Sequence, residues 1–278
     1  MKNVLITGAN GQLGTELSKL IPSAILTDVK DLDITDYIAV KDFVGKNSIN
    51  TIINCAAYTA VDDAEDNYDL VEKINAVGPK CLADTGCKLV HISTDYVFDG
   101  KANRPYTTND VPKPKSVYGK TKYLGEWAVQ FCANEYVIIR TSWLYSPYGK
   151  NFVKNMRNLG ATRESIGVVN DQIGTPTYAA DLADAIVQIV PQINKFNSGV
   201  YHYSNLGECS WYDFAVEIMK QSGLKCVVNP ITTEQYPTKA PRPAYSVLDK
   251  TKTERVFDIK IDTWQKALSR CIKEIERQ

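Results

Sequence analysis

A short strand-forming run that meets three evenly spaced glycines constrains this chain more than any other feature. Residues 4–14 read Val-Leu-Ile-Thr-Gly-Ala-Asn-Gly-Gln-Leu-Gly, with glycines at 8, 11 and 14. Gly8 permits the sharp turn out of a strand. Gly11 lets backbone N–H groups approach a pyrophosphate at a helix N-terminus, where the helix dipole favours anions. Gly14 lets the helix lie close on the sheet. Asn10, Gln12 and Leu13 belong to the same cradle. The spacing is G-x-x-G-x-x-G rather than G-x-G-x-x-G, yet strand, turn and amphipathic helix stand in the right order. The pattern predicts a dinucleotide site, with a purely structural glycine turn as the alternative.

Asp28 ends the next predicted strand, where a carboxylate accepts hydrogen bonds from ribose hydroxyls and repels a 2′-phosphate. That favours NADH over NADPH as cofactor. Lys30 softens the preference, Asp31 and Asp33 are alternative acids, and all of these aspartates also read as caps of the following turn.

The first two-thirds of the chain alternate β-rich runs with helical stretches. Strands are expected at Val4–Thr7, Ala24–Thr27, Thr51–Asn54, Lys88–Ser93 and Val137–Thr141. Helices are expected from the glycine turn to about Leu20, and at Tyr37–Val44, Leu70–Ala83 and Lys120–Cys132. Apolar, non-alternating strands separated by helices predict an α/β fold, a Rossmann-type doubly wound parallel sheet covered on both faces. After Trp143 the rhythm loosens into a proline-bearing stretch, Pro230 to Pro243, and helices at Trp211–Gln221 and Thr263–Ile275. The expected division is a dinucleotide-binding domain over 1–142 and a smaller substrate-binding domain over 143–278, with later segments returning to the first.

Lys+Arg and Asp+Glu each total 32, so the formal net charge is zero and no global basic field exists to hold nucleic acid or an anionic membrane. The apolar run at the N-terminus is too short for a leader core or a membrane span. Seven cysteines without a C-x-x-C pair, and only two histidines, argue against a zinc site and for free thiols in a reducing cytoplasm. Scarce histidine also turns the search for catalytic groups toward Tyr, Lys, Ser and Thr.

Tyr118 and Lys122 stand four apart and share one face of a predicted helix. A free phenol titrates near ~10, and a neighbouring ammonium is expected to stabilise its phenolate. Such a tyrosine protonates a carbonyl oxygen as hydride reaches the carbon. Thr94, at the carboxyl end of the fourth strand, is placed to hydrogen-bond the same oxygen. Taken alone, the Tyr-x-x-x-Lys pattern reads better as a solvated helix face, but joined to the glycine turn and to Ser93-Thr94 after the fourth strand it reads as a catalytic pair. Trp143 reads as a ring for stacking on a sugar or as a core tryptophan, and Arg242 as a phosphate clamp or a surface arginine.

Together these motifs resemble the extended short-chain dehydrogenase/reductases, and within them the dTDP-4-dehydrorhamnose reductase family. The resemblance runs over nearly the whole chain. It rests on the glycine turn, Asn54-Cys-Ala-Ala-Tyr-Thr59, Ile74-Asn75, Ser93-Thr-Asp-Tyr-Val-Phe98, Tyr118-x-x-x-Lys122, Arg140-Thr-Ser-Trp143, Asn151-Phe152, Asp171-Gln-Ile-Gly-Thr-Pro-Thr177 and Arg242-Pro243. It implies Thr94, Tyr118 and Lys122 as the catalytic trio and Ala56, Ala57 and Tyr58 as lining for the cofactor's ribose and diphosphate. Thr94, Asp95, Trp143, Asn151, Gln172 and Arg242 would approach the sugar or its nucleotide. The implied reaction reduces the C4 keto group of dTDP-4-dehydro-6-deoxy-L-mannose to dTDP-L-rhamnose with NADH, or with NADPH.

Some members of the family are thought to dimerise through a metal held by acids, one of them on the first helix. Glu16 holds that helix position here, but Pro191–Tyr201 supplies no carboxylate to join it, so no metal is expected and the protein is taken as a monomer or a homodimer. The rival readings are an epimerase or reductase of another nucleotide sugar, and a non-catalytic regulatory subunit similar to that of methionine adenosyltransferase. The intact Thr94, Tyr118 and Lys122 set speaks against the last.

Overall fold

In a computed structural model, which describes residues 1–277, six parallel strands form the central sheet. The elements run β1 (Val4–Thr7), α1 (Gln12–Leu20), β2 (Ile25–Thr27), α2 (Tyr37–Lys46) and β3 (Thr51–Asn54). They continue with α3 (Tyr68–Glu72), α4 (Gly78–Ala83), β4 (Lys88–Thr94), α5 (Val117–Cys132) and β5 (Tyr136–Thr141). The remainder is β6 (Leu144–Tyr145), α6 (Phe152–Thr162), β7 (Ser165–Val169), β8 (Ile173–Gly174), β9 (Thr177–Tyr178), α7 (Ala179–Ile189) and β10 (Gly199–His202). Then come β11 (Cys209–Ser210), α8 (Trp211–Gln221), β12 (Val227–Ile231), α9 (Thr251–Phe257) and α10 (Trp264–Ile275).

The sheet order is β10-β5-β4-β3-β1-β2, so the chain reverses direction across the sheet beside β1 and β3. Ligands of open α/β sheets bind at such a switch point, beyond the strands' carboxyl ends. All four residues of β1 and of β3 are buried, as strands covered on both faces require. One face packs Ile6, Val90 and Ile139 against Leu13 and Leu17 of α1 and Leu182 and Ile186 of α7. The other packs Leu5, Ile52 and Leu89 against Val40 of α2, Leu82 of α4 and Val129 of α5. A second core, around Tyr145, Val153, Phe214, Trp264 and Leu268, underlies the smaller layer. There β7 and β12 form a separate parallel pair.

Three features depart from the sequence reading. The helix expected from Lys120 begins at Val117, because Ser116 caps it by accepting a hydrogen bond from the Gly119 N–H at 3.0 Å. Tyr118 therefore lies in the first turn. The helix expected over Leu70–Ala83 begins at Tyr68 and is widened by a π turn at Lys73–Val77. Helices α6 and α7 and strand β10 were not anticipated; β10 comes from beyond residue 142 and pairs with β5. Among the described residues no helix is long and apolar enough to cross a membrane, and the seven cysteines are free thiols.

Candidate active site

The glycine turn forms the floor of a cleft. Gly8 sits at φ +65°, and a Cβ there would stand 2.6 Å from the Ala56 backbone nitrogen. A Cβ on Gly14 would collide with the Gly8 carbonyl oxygen. The turn and the segment after β3 are thus pressed together so closely that only glycine fits. Gly11 caps α1 without a side chain, which leaves the first-turn N–H groups of that helix uncovered by any side-chain acceptor.

A cavity of about 340 Å³ opens beside this turn, lined by Gly8, Gly11, Asp28, Asp33, Ala56, Ala57 and Tyr58 among others. The Asp28 carboxylate accepts from the Asn10 N–H at 3.2 Å and the Val29 N–H at 2.8 Å, which fixes it on the rim. Asp33 accepts from the Thr35 hydroxyl at 2.7 Å and N–H at 2.9 Å, bonds that hold its carboxyl below the usual range. The π turn has a visible purpose here. It points Asn75 inward, where its Oδ1 accepts from the Tyr58 N–H at 2.8 Å and its Nδ2 donates to the Tyr58 carbonyl at 3.2 Å. Asn75 so fixes the backbone of the cleft wall, a role that helical periodicity does not reveal.

The cleft continues into a groove of about 550 Å³ that brings together Asn10, Gly11, Gln12, Leu13, Thr94, Asp95, Tyr118, Lys122 and Trp143. The three expected catalytic residues therefore meet in the same groove as the glycine turn. Lys122 is buried and its Nζ donates to the Ile92 carbonyl at 2.6 Å. Burial lowers its pKa to about 8, against the opposing pull of Glu126. Tyr118 departs from the expected phenolate. Burial pushes its pKa up to about 12, the Thr94 hydroxyl pulls it down, and Asp95 pushes it up again. The ammonium is directed at Ile92 rather than at the phenol, so Tyr118 is held neutral, the form a proton donor requires.

Asp95 is buried, and its Oδ1 accepts from the Thr94 hydroxyl at 3.1 Å. Burial raises its carboxyl to about 6, against the opposing pull of the nearby Ser246 and Thr94 hydroxyls.

Trp143 stands at φ +47° and lies flat against Trp211, with centroids 3.5 Å apart and planes 9° apart. One face of its ring is therefore committed to protein, and it lines the groove as part of a fixed wall. A third cavity, of about 810 Å³, lies beyond this wall and is bounded by both layers. Gln172 and Arg242 line it, joined by Phe152, Arg163, Trp211 and Tyr236, which the sequence reading did not single out. Gln172 Nε2 donates to the Thr233 hydroxyl at 3.0 Å. Arg242 is not a free surface arginine, since its Nη2 donates to Asp62 at 2.6 Å.

Asn151, expected to approach the sugar, makes its hydrogen bonds within the protein. Its Nδ2 donates to Gln12 Oε1 at 2.9 Å and to the Ser146 carbonyl at 2.8 Å, while its Oδ1 accepts from the Lys154 N–H at 3.1 Å to cap α6. Those bonds use both amide hydrogens and the oxygen's inward lone pair. Asn151 so ties α6 to the glycine turn. Glu16 is buried, with its Oε2 paired with Lys19 at 2.9 Å and its Oε1 without a hydrogen-bond partner. Among the described residues no group of three or more His, Cys, Asp or Glu is arranged to hold a metal ion.

A parallel switch-point sheet, a glycine cradle and a Thr-Tyr-Lys set facing it define a nicotinamide-dependent oxidoreductase of the short-chain dehydrogenase/reductase class. The chain belongs to the family described as the RmlD substrate binding domain, whose sequence profile matches residues 1–277. It is similar to the dTDP-4-dehydrorhamnose reductase of Aggregatibacter actinomycetemcomitans, 41% identical over 96% of this chain and 97% of that protein. A dTDP-4-dehydrorhamnose reductase crystal structure from Clostridium acetobutylicum matches with a TM-score of 0.95 at 47% identity, covering 99% of this chain and 100% of that one. The reductase of Bacillus anthracis in complex with NADP matches with a TM-score of 0.94 at 43% identity, over 99% and 100% of the two chains.

Proposed function

We propose that this protein reduces the C4 keto group of dTDP-4-dehydro-6-deoxy-L-mannose to give dTDP-L-rhamnose, using NADH or NADPH. The observation that carries the reading is Tyr118, held neutral beside Thr94 in the groove that also contains the glycine turn. The family membership and the names of the relatives support the substrate.

The cradle that admits only glycine at 8 and 14 fits a dinucleotide diphosphate, whose oxygens would meet the N–H groups at the start of α1. Asp28 would take the adenosine ribose, Ala56, Ala57 and Tyr58 would wall the diphosphate side, and Lys122 would hold the nicotinamide ribose. The reduced nicotinamide supplies a hydride when bound. Thr94 donates a hydrogen bond to the sugar's C4 oxygen and orients it. Tyr118 transfers its phenolic proton to that oxygen as the carbonyl carbon is reduced, and the buried Lys122 ammonium steadies the phenolate that results. Asp95, Trp143, Gln172 and Arg242 position the sugar and its nucleotide.

In this reading residues 1–142, with the returning strand β10, form the cofactor domain, and most of 143–278 binds the nucleotide sugar. The enzyme works in the cytoplasm, consistent with its free thiols, and needs no bridging metal to act as a monomer or homodimer. The test follows absorbance at the reduced-nicotinamide band with the keto-sugar nucleotide, NADH and NADPH being tried in parallel. Steady oxidation over many turnovers is expected. Binding of cofactor without turnover would move the substrate to another nucleotide sugar.

A further inference from the structure

The segment between β3 and α3 carries acids at 62, 63, 65 and 66, and three of them are committed to other parts of the chain. Asp62 Oδ2 accepts from Arg242 Nη2 at 2.6 Å, and its Oδ1 accepts from the Ala240 N–H at 3.0 Å. Asp66 pairs with Lys239. Glu65 Oε1 accepts at 2.8 Å from the N–H of Val117, the residue before Tyr118. One short stretch therefore grips the strap 236–243 on one side and the start of the catalytic helix on the other.

The strap has no helix of its own beyond Gln235 and contains prolines at 237, 241 and 243. Nothing periodic fixes the direction of its arginine, yet Arg242 is held. Its side chain is 19% exposed, it lines the 810 Å³ cavity together with Asp62, and its Nη1 is buried without a hydrogen-bond partner. A guanidinium presents its donors as a rigid fork, so a carboxylate on one arm fixes where the other arm points. The free arm is a donor desolvated in advance, and such a group awaits an acceptor.

We propose that Asp62 is a positioning residue, holding Arg242 and its strap so that the open guanidinium arm meets the diphosphate of the nucleotide sugar. This rests on the nucleotide-sugar reading above. Asp62 touches neither substrate nor cofactor in this role. Two effects of its charge oppose each other. Coulomb repulsion between Asp62 and a diphosphate would make removal of the carboxylate tighten binding. Loss of orientation would make removal weaken it. Asp62 is 42% exposed, so solvent screens the repulsion, while the ordering of a long side chain on a loop is lost in full. Orientation wins.

The test is calorimetric titration of the wild-type protein and Asp62→Asn with dTDP and with thymidine. The expected result is a Kd for dTDP raised about tenfold, with thymidine affinity and the KM for NADH unchanged, and partial recovery in Asp62→Glu. In a cycle with Arg242→Lys, the double variant should bind dTDP no more weakly than Arg242→Lys alone. Unchanged or tighter dTDP binding in a folded Asp62→Asn protein would overturn the proposal. Equal weakening toward dTDP and thymidine would reduce Asp62 to a structural strut and overturn it too. A wild-type protein that binds thymidine as tightly as dTDP would instead remove the diphosphate reading itself, and this inference with it.

Discussion

Arg140 on β5 grips Glu126 on α5 through two buried hydrogen bonds, Nε to Oε1 at 2.8 Å and Nη2 to Oε2 at 2.6 Å. Ser93 of β4 donates to the same carboxylate at 2.5 Å. Three elements are locked at one point, and the lock sits one turn along α5 from Lys122. It holds α5, which carries Tyr118 and Lys122, in register with the strand that carries Thr94.

Breaking this pair by one partner leaves an uncompensated buried charge. Arg140→Met is therefore expected to destabilise the protein by about 3–5 kcal/mol. Denaturant unfolding followed by fluorescence measures it. A loss under about 1 kcal/mol would mean that water reaches Glu126 once the arginine is gone.

Removing the Tyr118 hydroxyl removes the proposed proton donor and little else, because the ring keeps its edge-to-face contact with Tyr96 at 5.5 Å. Tyr118→Phe should lower kcat by about 10²- to 10⁴-fold, with cofactor affinity nearly unchanged. Stopped-flow turnover together with NADH titration distinguishes the two parameters. Full activity in the variant would assign the proton to another group.

What could be read in advance was what lies close together in the chain. The glycine turn and the Tyr118/Lys122 pair are short patterns whose geometry follows from one strand-to-helix turn and one helical turn. The five expected strands stand within a residue or two of their places because each has a run of β-branched and other apolar residues at its centre. That later segments return to the first domain was expected, but not that β10 is the one, since Gly199–His202 is only four residues long and pairs with the distant β5. The Asp62–Arg242 pair joins residues 180 apart. The bond between Asn151 and Gln12 was hidden for the same reason, as the two stand 139 residues apart. The Tyr118 phenol was expected to feel its lysine, but the depth of burial, which no local pattern encodes, decided otherwise.

Asp95 makes stability depend on pH in an unusual direction for a carboxylate. Its folded-state pKa lies near about 6, above the ordinary 3.8. The folded protein binds the proton more tightly than the unfolded chain, so the contribution is fully present below pH ~4 and is lost as pH rises through about 6. Above that it amounts to a destabilisation of about 3 kcal/mol as an upper estimate. Asp95→Asn should thus gain stability relative to wild type between pH 4 and pH 7 and hold that gain above it. Urea midpoints across this range check the sign. A difference between the two proteins that does not change with pH would mean that Asp95 titrates normally.

Cofactor choice turns on the cavity rim. Asp28 is anchored there by the Asn10 and Val29 N–H groups, where a 2′-phosphate would meet a fixed negative charge. Of the other candidate acids, Asp31 accepts from the Asp28 N–H at 2.9 Å and Asp33 accepts from Thr35. Asp28→Ala should therefore lower the ratio of kcat/KM for NADH to that for NADPH by about five- to tenfold. The change should come from both cofactors, a lower KM for NADPH as the repulsion is removed and a higher KM for NADH as its ribose hydroxyls lose a charged acceptor. Parallel initial rates with the two cofactors measure the ratio directly. If it does not move, Asp28 serves only to shape the turn, and the choice between the two cofactors is made by another group on the rim.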